Sequence, residues 1–403
     1  MTFMLNILQM RRYQVNIHEI FPCIPSMEKL VKTSLEVGMI LPWTVFTEEG
    51  ELLLSEGSTI KNERVLGLLI GRGAWCHNDE IEKRARDKPV ADESARGVSA
   101  FSQLEIFRDN LHQLLHEIVK SPGAGQKATL NEHAGELQNL IWKYSDMILG
   151  ALILDRESSY SKLHPILSSA VSAMIARRLD TPPELVHSIT CANMTANLGM
   201  LDIKDELSEH EGELTPEHKL RIRRHPERSY EILKSIGITD DKWLEIVSKQ
   251  HEKLDGSGYP AGINSDAIPD YVRISTIADV YAAMVLPRRY RDGIHCQQAI
   301  KAIFAERANS LDESLCTIFI KDIGIFPPGV WVELSNGEKG IVIKRGLRNA
   351  TQPTVSCLMD GYDNEYERPK IRNLAENQSP GIKRIYKRED ELPFSYEDIW
   401  GFV

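Results

Sequence analysis

No stretch of the 403 residues approaches the roughly 18 consecutive uncharged apolar residues that a membrane-crossing helix needs, so no span is expected. Residues Met1 to Met10 are mildly apolar but lack the cleavage site of a secretory signal. Cysteine is scarce and scattered. Cys23, Cys76, Cys191, Cys296, Cys316 and Cys357 form no CxxC pair, which leaves reduced thiols and a cytoplasmic setting as the expectation. An excess of positive charge is also missing. The formal net charge of −10 argues against a general binder of nucleic acid or anionic membrane surfaces, so an anionic ligand must be met by a local basic cluster. No internal repeat is visible.

What is present is ordinary globular material: 42% hydrophobic and 26% charged residues, in a chain long enough for two or three units. Met27 precedes the first well-patterned segment, which makes 1–29 an extension and a candidate for disorder. Residues 30–80 read as a small α/β domain. Its strands run from Gly38 to Phe46 and from Glu51 to Leu54, a helix follows from Asn62 to Leu69, and Ala74-Trp75-Cys76 returns. Residues 81–98 are charged, without apolar periodicity, and read as a linker. From Phe101 onward the period is helical, giving a helical domain over 99–325. Ser121-Pro122-Gly123 stops its first helix, Thr215 with Pro216 starts another, and His225-Pro226 is expected to join two short helices. Residues 326–375 read as a β extension, with a hairpin turning on Asn336-Gly337 and a third strand over Val355 to Met359. Residues 376–403 read as a charged, loosely attached tail.

The most informative stretch is Gln250-His251-Glu252-Lys253-Leu254-Asp255-Gly256-Ser257-Gly258-Tyr259-Pro260. A helical pattern delivers a His-Glu pair to its end and then breaks on two glycines and a proline, the sign of a tight loop. His164, His225, His251 and Asp279 all lie on or beside predicted helices. Imidazoles with a carboxylate are the ligand set for zinc, manganese or iron, delivered here by rigid elements from distant positions.

These residues resemble the HD-GYP family of the HD metal-dependent phosphohydrolases, whose signature is HHExxDGSGYP. The resemblance covers roughly 150–345. It includes His164, Leu214-Thr215-Pro216-Glu217 with His225-Pro226, Ile277-Ala278-Asp279-Val280, Arg288-Arg289-Tyr290-Arg291, and the tail Leu334-Ser335-Asn336-Gly337-Glu338. It implies a mainly α protein, a helical bundle around two or three iron or manganese ions, that hydrolyses cyclic di-GMP through a metal-bridging hydroxide.

The departures bear directly on that chemistry. Where the family has HDxGK, this chain has Asn193-Met194-Thr195-Ala196-Asn197, so Asn193 and Met194 replace the His-Asp dyad. Gln250 replaces the first histidine of the HH pair, and Tyr160 stands where some members carry a carboxylate. A thioether cannot bridge two hard cations as a carboxylate does. His187 and Cys191 have the wrong spacing to rescue the dyad, and Asp202 and Asp205 fall after the helix. The residual metal candidates are His164, His225, His251 and Asp279, for no metal or a single weakly held one, iron or manganese if the site is active. By the same resemblance Arg288 and Arg291 are candidates to bind phosphate, and Arg224, one of the basic cluster Arg221, Arg223, Arg224 and Arg228 around His225, is a further candidate by its charge. Asp255, Gly256, Ser257, Gly258, Tyr259 and Pro260 form the loop. The expectation is a degenerate member of cyclic di-GMP signalling that binds a cyclic dinucleotide, a partner such as a diguanylate cyclase, or both. The alternatives are an active phosphodiesterase with an altered metal site, and a purely structural regulator.

Overall fold

The structure, a computed structural model, describes residues 27–29, 45–46, 52–54, 60, 63–71, 75–77, 99–202, 215–287, 293–307, 309–346, 348–386 and 392–401. The chain divides into two units, Met1–Val98 and Ser99–Val403. In the first, strands β1 (Met27–Lys29), β2 (Val45–Phe46), β3 (Leu52–Leu54) and β4 (Trp75–His77) accompany helix α1 (Glu63–Gly71). They form an antiparallel sheet in the order β1-β4-β2-β3. Met27–Lys29 was expected to belong to a disordered extension, yet it pairs residue for residue with Trp75–His77. Three residues are too few to show a strand period, so the pairing is invisible locally. The first part of the strand expected from Gly38, and the 81–98 linker, lie outside the described residues.

The second unit opens with α2 (Ala100–Lys120), capped by Ser99, whose hydroxyl accepts the Ser102 N–H at 3.1 Å. It buries Phe101, Leu104, Phe107, Leu111, Leu114, Leu115 and Ile118 at spacings of three and four. Helix α3 (Gln126–Leu154) is kinked at Tyr144 (φ −135°, ψ 35°). Beside the kink, Arg345 donates to Ser145 Oγ at 2.8 Å and pairs with Asp146. Helix α4 (Tyr160–Arg178) has Ser161 and every residue from Leu163 to Ala176 buried, so it is the central rod of the bundle. Its polar side chains must find partners there: Ser168 donates to His164 O at 2.8 Å and Ser169 to Thr190 O at 3.3 Å.

Helices α5 (Pro183–Thr195), α6 (Pro216–Ser235), α7 (Asp241–Lys249), α8 (Asp270–Val285), α9 (Cys296–Glu306) and α10 (Glu313–Ile323) complete the bundle. As read from the sequence, Thr215 caps α6, accepting the His218 N–H at 3.1 Å. The His225-Pro226 break expected in the middle is absent, and α6 runs straight through it. A proline removes the N–H that would bond the carbonyl four residues back. That carbonyl is Ile222 O, and His225 Nδ1 sits 2.6 Å from it instead. Among the described residues no helix is long and apolar enough to cross a membrane.

The chain ends in an antiparallel sheet of β5 (Trp331–Leu334), β6 (Lys339–Lys344), β7 (Thr354–Met359), β8 (Glu365–Asn373) and β9 (Ile382–Ile385), in the order β8-β7-β6-β5-β9. Asn336-Gly337 turns β5 into β6 as the sequence indicated. The stretch after 375, read as a loose tail, holds β9 and the short helix α11 (Tyr396–Trp400). Its charges misled: Lys383 and Arg384 both pair with the buried Glu333 at 2.6 Å, and β9 closes the edge of β5. Trp400 lies 5.4 Å from Phe101, ring centre to ring centre. Its ring also presses so closely on Gly150 that any side chain there would begin 2.4 Å from it.

Candidate functional site

Four elements bring the candidate ligands together. His164 comes from α4, His225 from α6, His251 from the turn after α7, and Asp279 from α8. His164 Nε2 lies 3.3 Å from Asp279 Oδ1 and His251 Nδ1 lies 3.6 Å from Asp279 Oδ2, so the carboxylate stands between two imidazoles. His225 joins through a 3.0 Å contact between its Nε2 and that of His251. Burial alone would raise the Asp279 carboxyl. The neighbouring His251, His164 and His225 outweigh it and hold the group well below the usual carboxylate range. Asn197 Nδ2 reaches His164 Nδ1 at 3.3 Å, and the Gln250 amide reaches His251 Nε2 at 3.4 Å.

The glycine-rich loop is folded back on this cluster. Tyr259 N–H donates to His251 O at 3.1 Å, and its ring stacks on the His251 imidazole with centres 4.8 Å apart and planes 15° apart. The Arg223 guanidinium lies 5.6 Å from the same tyrosine ring. Gly258 is obligatory, because a Cβ there would sit 2.5 Å from Glu252 Cα and 2.6 Å from His251 O. Asp255 Oδ1 accepts both the N–H and the hydroxyl of Ser257, at 2.9 and 2.7 Å. The fastening that sequence reading overlooked is Glu252. Its buried carboxylate accepts three consecutive backbone N–H groups, Ala261 (2.7 Å), Gly262 (3.2 Å) and Ile263 (3.1 Å). The available signal was its place between a helix end and a turn rich in N–H groups that no helix or strand would use.

Asn193 and Met194, at the dyad positions, are buried on α5. Asn193 Nδ2 donates to Ile189 O at 2.9 Å and to Ser275 Oγ at 3.0 Å. Arg224 is exposed on α6, while Arg221 and Arg228 both pair with Asp202, at 3.8 and 2.9 Å. Arg288 and Arg291 lie outside the described residues.

A two-metal centre does not fit these residues. A bridging carboxylate is needed between the ions, and the positions for it hold an amide tied to its own helix and a thioether. The remaining donors, His164, His225, His251 and Asp279, contact one another.

A family model described as "HD domain" matches residues 148–315, the span from the end of α3 to the start of α10. Residues 148–315 thus match an HD domain, and the chain is similar to proteins of the HD-GYP kind. The chain is similar to a cyclic di-GMP phosphodiesterase of Pseudomonas aeruginosa, 28% identical over 224 residues, covering 55% of this chain and 54% of that protein. A cyclic di-GMP phosphodiesterase response regulator of Xanthomonas campestris pv. campestris is 30% identical over 148 residues, covering 36% of this chain and 38% of that one. The chain thus spans about half the length, or less, of these curated relatives. Among solved structures, a HDG"Y"P protein from Bdellovibrio bacteriovorus aligns with TM-score 0.48 and 14% identity, covering 73% of this chain and 98% of that one.

Proposed function

We propose that this chain is a non-hydrolysing member of the cyclic di-GMP phosphodiesterase family that binds a cyclic dinucleotide and acts through a signalling partner in the cytoplasm. One observation carries the reading: the dyad positions hold a buried amide bonded to Ile189 O and Ser275 Oγ and a buried thioether, so neither offers a carboxylate to bridge two metals. The substrate class comes from the relatives, which are named as cyclic di-GMP phosphodiesterases. The setting is supported by the free thiols of Cys191, Cys296, Cys316 and Cys357, all buried, with burial pushing Cys296 up to about 11 and Cys316 and Cys357 up to about 12.

A second reading, an active phosphodiesterase with an altered metal site, draws on the convergence of three imidazoles around Asp279. Anaerobically purified protein assayed on cyclic di-GMP with added manganese or iron separates the two. The expected result is calorimetric binding without turnover, weakened by Arg288→Ala. Multiple turnovers would establish the second reading instead.

A further inference from the structure

Four arginines surround His225 on α6, and folding gives them different surroundings. Arg221 and Arg228 both reach Asp202, at 3.8 and 2.9 Å, and Arg228 also donates to Gly199 O at 3.2 Å. Their charge is compensated. Arg223 and Arg224 are exposed and, among the described residues, neither forms an ion pair. Neighbouring helix positions are turned by about 100° from each other, so these two side chains leave α6 in different directions.

Arg223 is the one that meets the glycine-rich loop. Its guanidinium lies over the Tyr259 ring, 5.6 Å from the ring centre. That ring stacks on the His251 imidazole, whose side chain keeps 16% of its exposure. The guanidinium is thus held one aromatic ring away from the histidine cluster. Among the described residues no acceptor engages its N–H donors, which leaves the fork available to an oxyanion. An exposed arginine is ordinarily a solvated charge, and the aromatic anchorage is what separates Arg223 from Arg224.

In a chain of formal charge −10, an uncompensated cation beside the cluster is a local exception that favours an anion. A phosphodiester has the matching form, since its two non-bridging oxygens can accept two parallel N–H groups from one guanidinium. We infer that Arg223 is a phosphate-binding residue of the candidate site, holding one phosphodiester of a cyclic dinucleotide beside the Tyr259–His251 stack. This rests on the proposed binding function and names a residue that supplies its positive charge.

The test is calorimetry of the full chain with cyclic di-GMP. Arg223→Gln is expected to weaken binding about tenfold or more, the usual loss for a hydrogen-bonded charge. Arg223→Lys keeps the charge without the fork and should fall between the two, and Arg224→Gln should lose less than Arg223→Gln. Lys234→Gln removes the same charge from the exposed far end of α6 and should leave the affinity in place. Added salt should weaken wild-type binding more than that of Arg223→Gln. Unchanged binding by Arg223→Gln, or an equal loss in Lys234→Gln, overturns the inference and leaves the binding function standing. Wild-type protein that binds no cyclic di-GMP overturns both. Multiple turnovers would overturn the non-hydrolysing reading alone, provided that Arg223→Gln then raises KM; an unchanged KM would remove Arg223 as well.

Discussion

A carboxylate withdrawn from water needs donors, and Glu252 finds three in a row at Ala261, Gly262 and Ile263. Because Glu252 directly follows His251, and the three N–H groups directly follow Tyr259-Pro260, one side chain fixes where the loop lies relative to the imidazole. Glu252→Ala removes the shared acceptor of three backbone N–H groups and is expected to lower the unfolding free energy by roughly 1–2 kcal/mol. Glu252→Gln keeps one acceptor oxygen and is expected to lose less. Urea unfolding of the three proteins gives the ranking, and equal stability of wild type and Glu252→Ala would show the carboxylate to be dispensable. At this scale the sequence was legible wherever chemistry is local. The Gly-Ser-Gly-Tyr-Pro string announced a tight loop. The roles of Glu252, Asn197 and Gln250 were hidden, because each depends on which atoms tertiary folding places opposite a polar group.

At the scale of elements, Pro226 illustrates a local rule overridden. Proline inside a helix ordinarily costs about 3 kcal/mol, which is why a break was expected there. The His225 ring occupies the carbonyl the proline abandons, so the helix continues and the imidazole is aimed at His251. Pro226→Ala restores a backbone N–H that competes for Ile222 O. It is therefore expected to change stability by less than about 1 kcal/mol, the gained bond offsetting the lost one. Its visible effect should be on the His225 Nδ1–H resonance, and an unmoved resonance would show that the proline does not set this ring.

The C-terminal sheet supplies a pH-dependent element. Buried Glu338 accepts from Arg372 (2.9 and 2.7 Å), Asn336 (2.8 Å) and the Tyr366 hydroxyl (2.8 Å). The Arg372 bonds, chief among these causes, hold its carboxyl down at about 2 against the usual 4.5. A depressed folded value means the stabilisation is complete above 4.5 and is lost as pH falls from there toward 2. Glu338→Gln should thus cost about 2 kcal/mol at neutral pH. Urea unfolding should show that gap closing in acid, and a gap independent of pH would remove Glu338 from the acid response.

For the whole molecule, the helical period gave the bundle its outline, since α2 to α5 and α7 to α9 can be read from apolar spacing and stop signals, while α10 was not read. What spacing cannot give is attachment between residues far apart in sequence. Arg345 meets Ser145 and Asp146 beside the α3 kink, and Trp400 fills the space over Gly150 and beside Phe101. Charge along 376–403 suggested solvent, but the cations of β9 are used by Glu333, and Ile399 and Trp400 are buried. That stretch is therefore an integral part of the second unit. Removing the Trp400 side chain is expected to cost roughly 3–5 kcal/mol, as for other buried tryptophans. Deleting residues 376–403 should do more, because it also strips β9 from β5 and leaves an unpaired strand edge open to association. Thermal melting of Trp400→Ala and size-exclusion chromatography of the shortened chain check both effects. A shortened chain that stays monomeric and melts at the wild-type temperature would return the stretch to the loose tail its composition resembles.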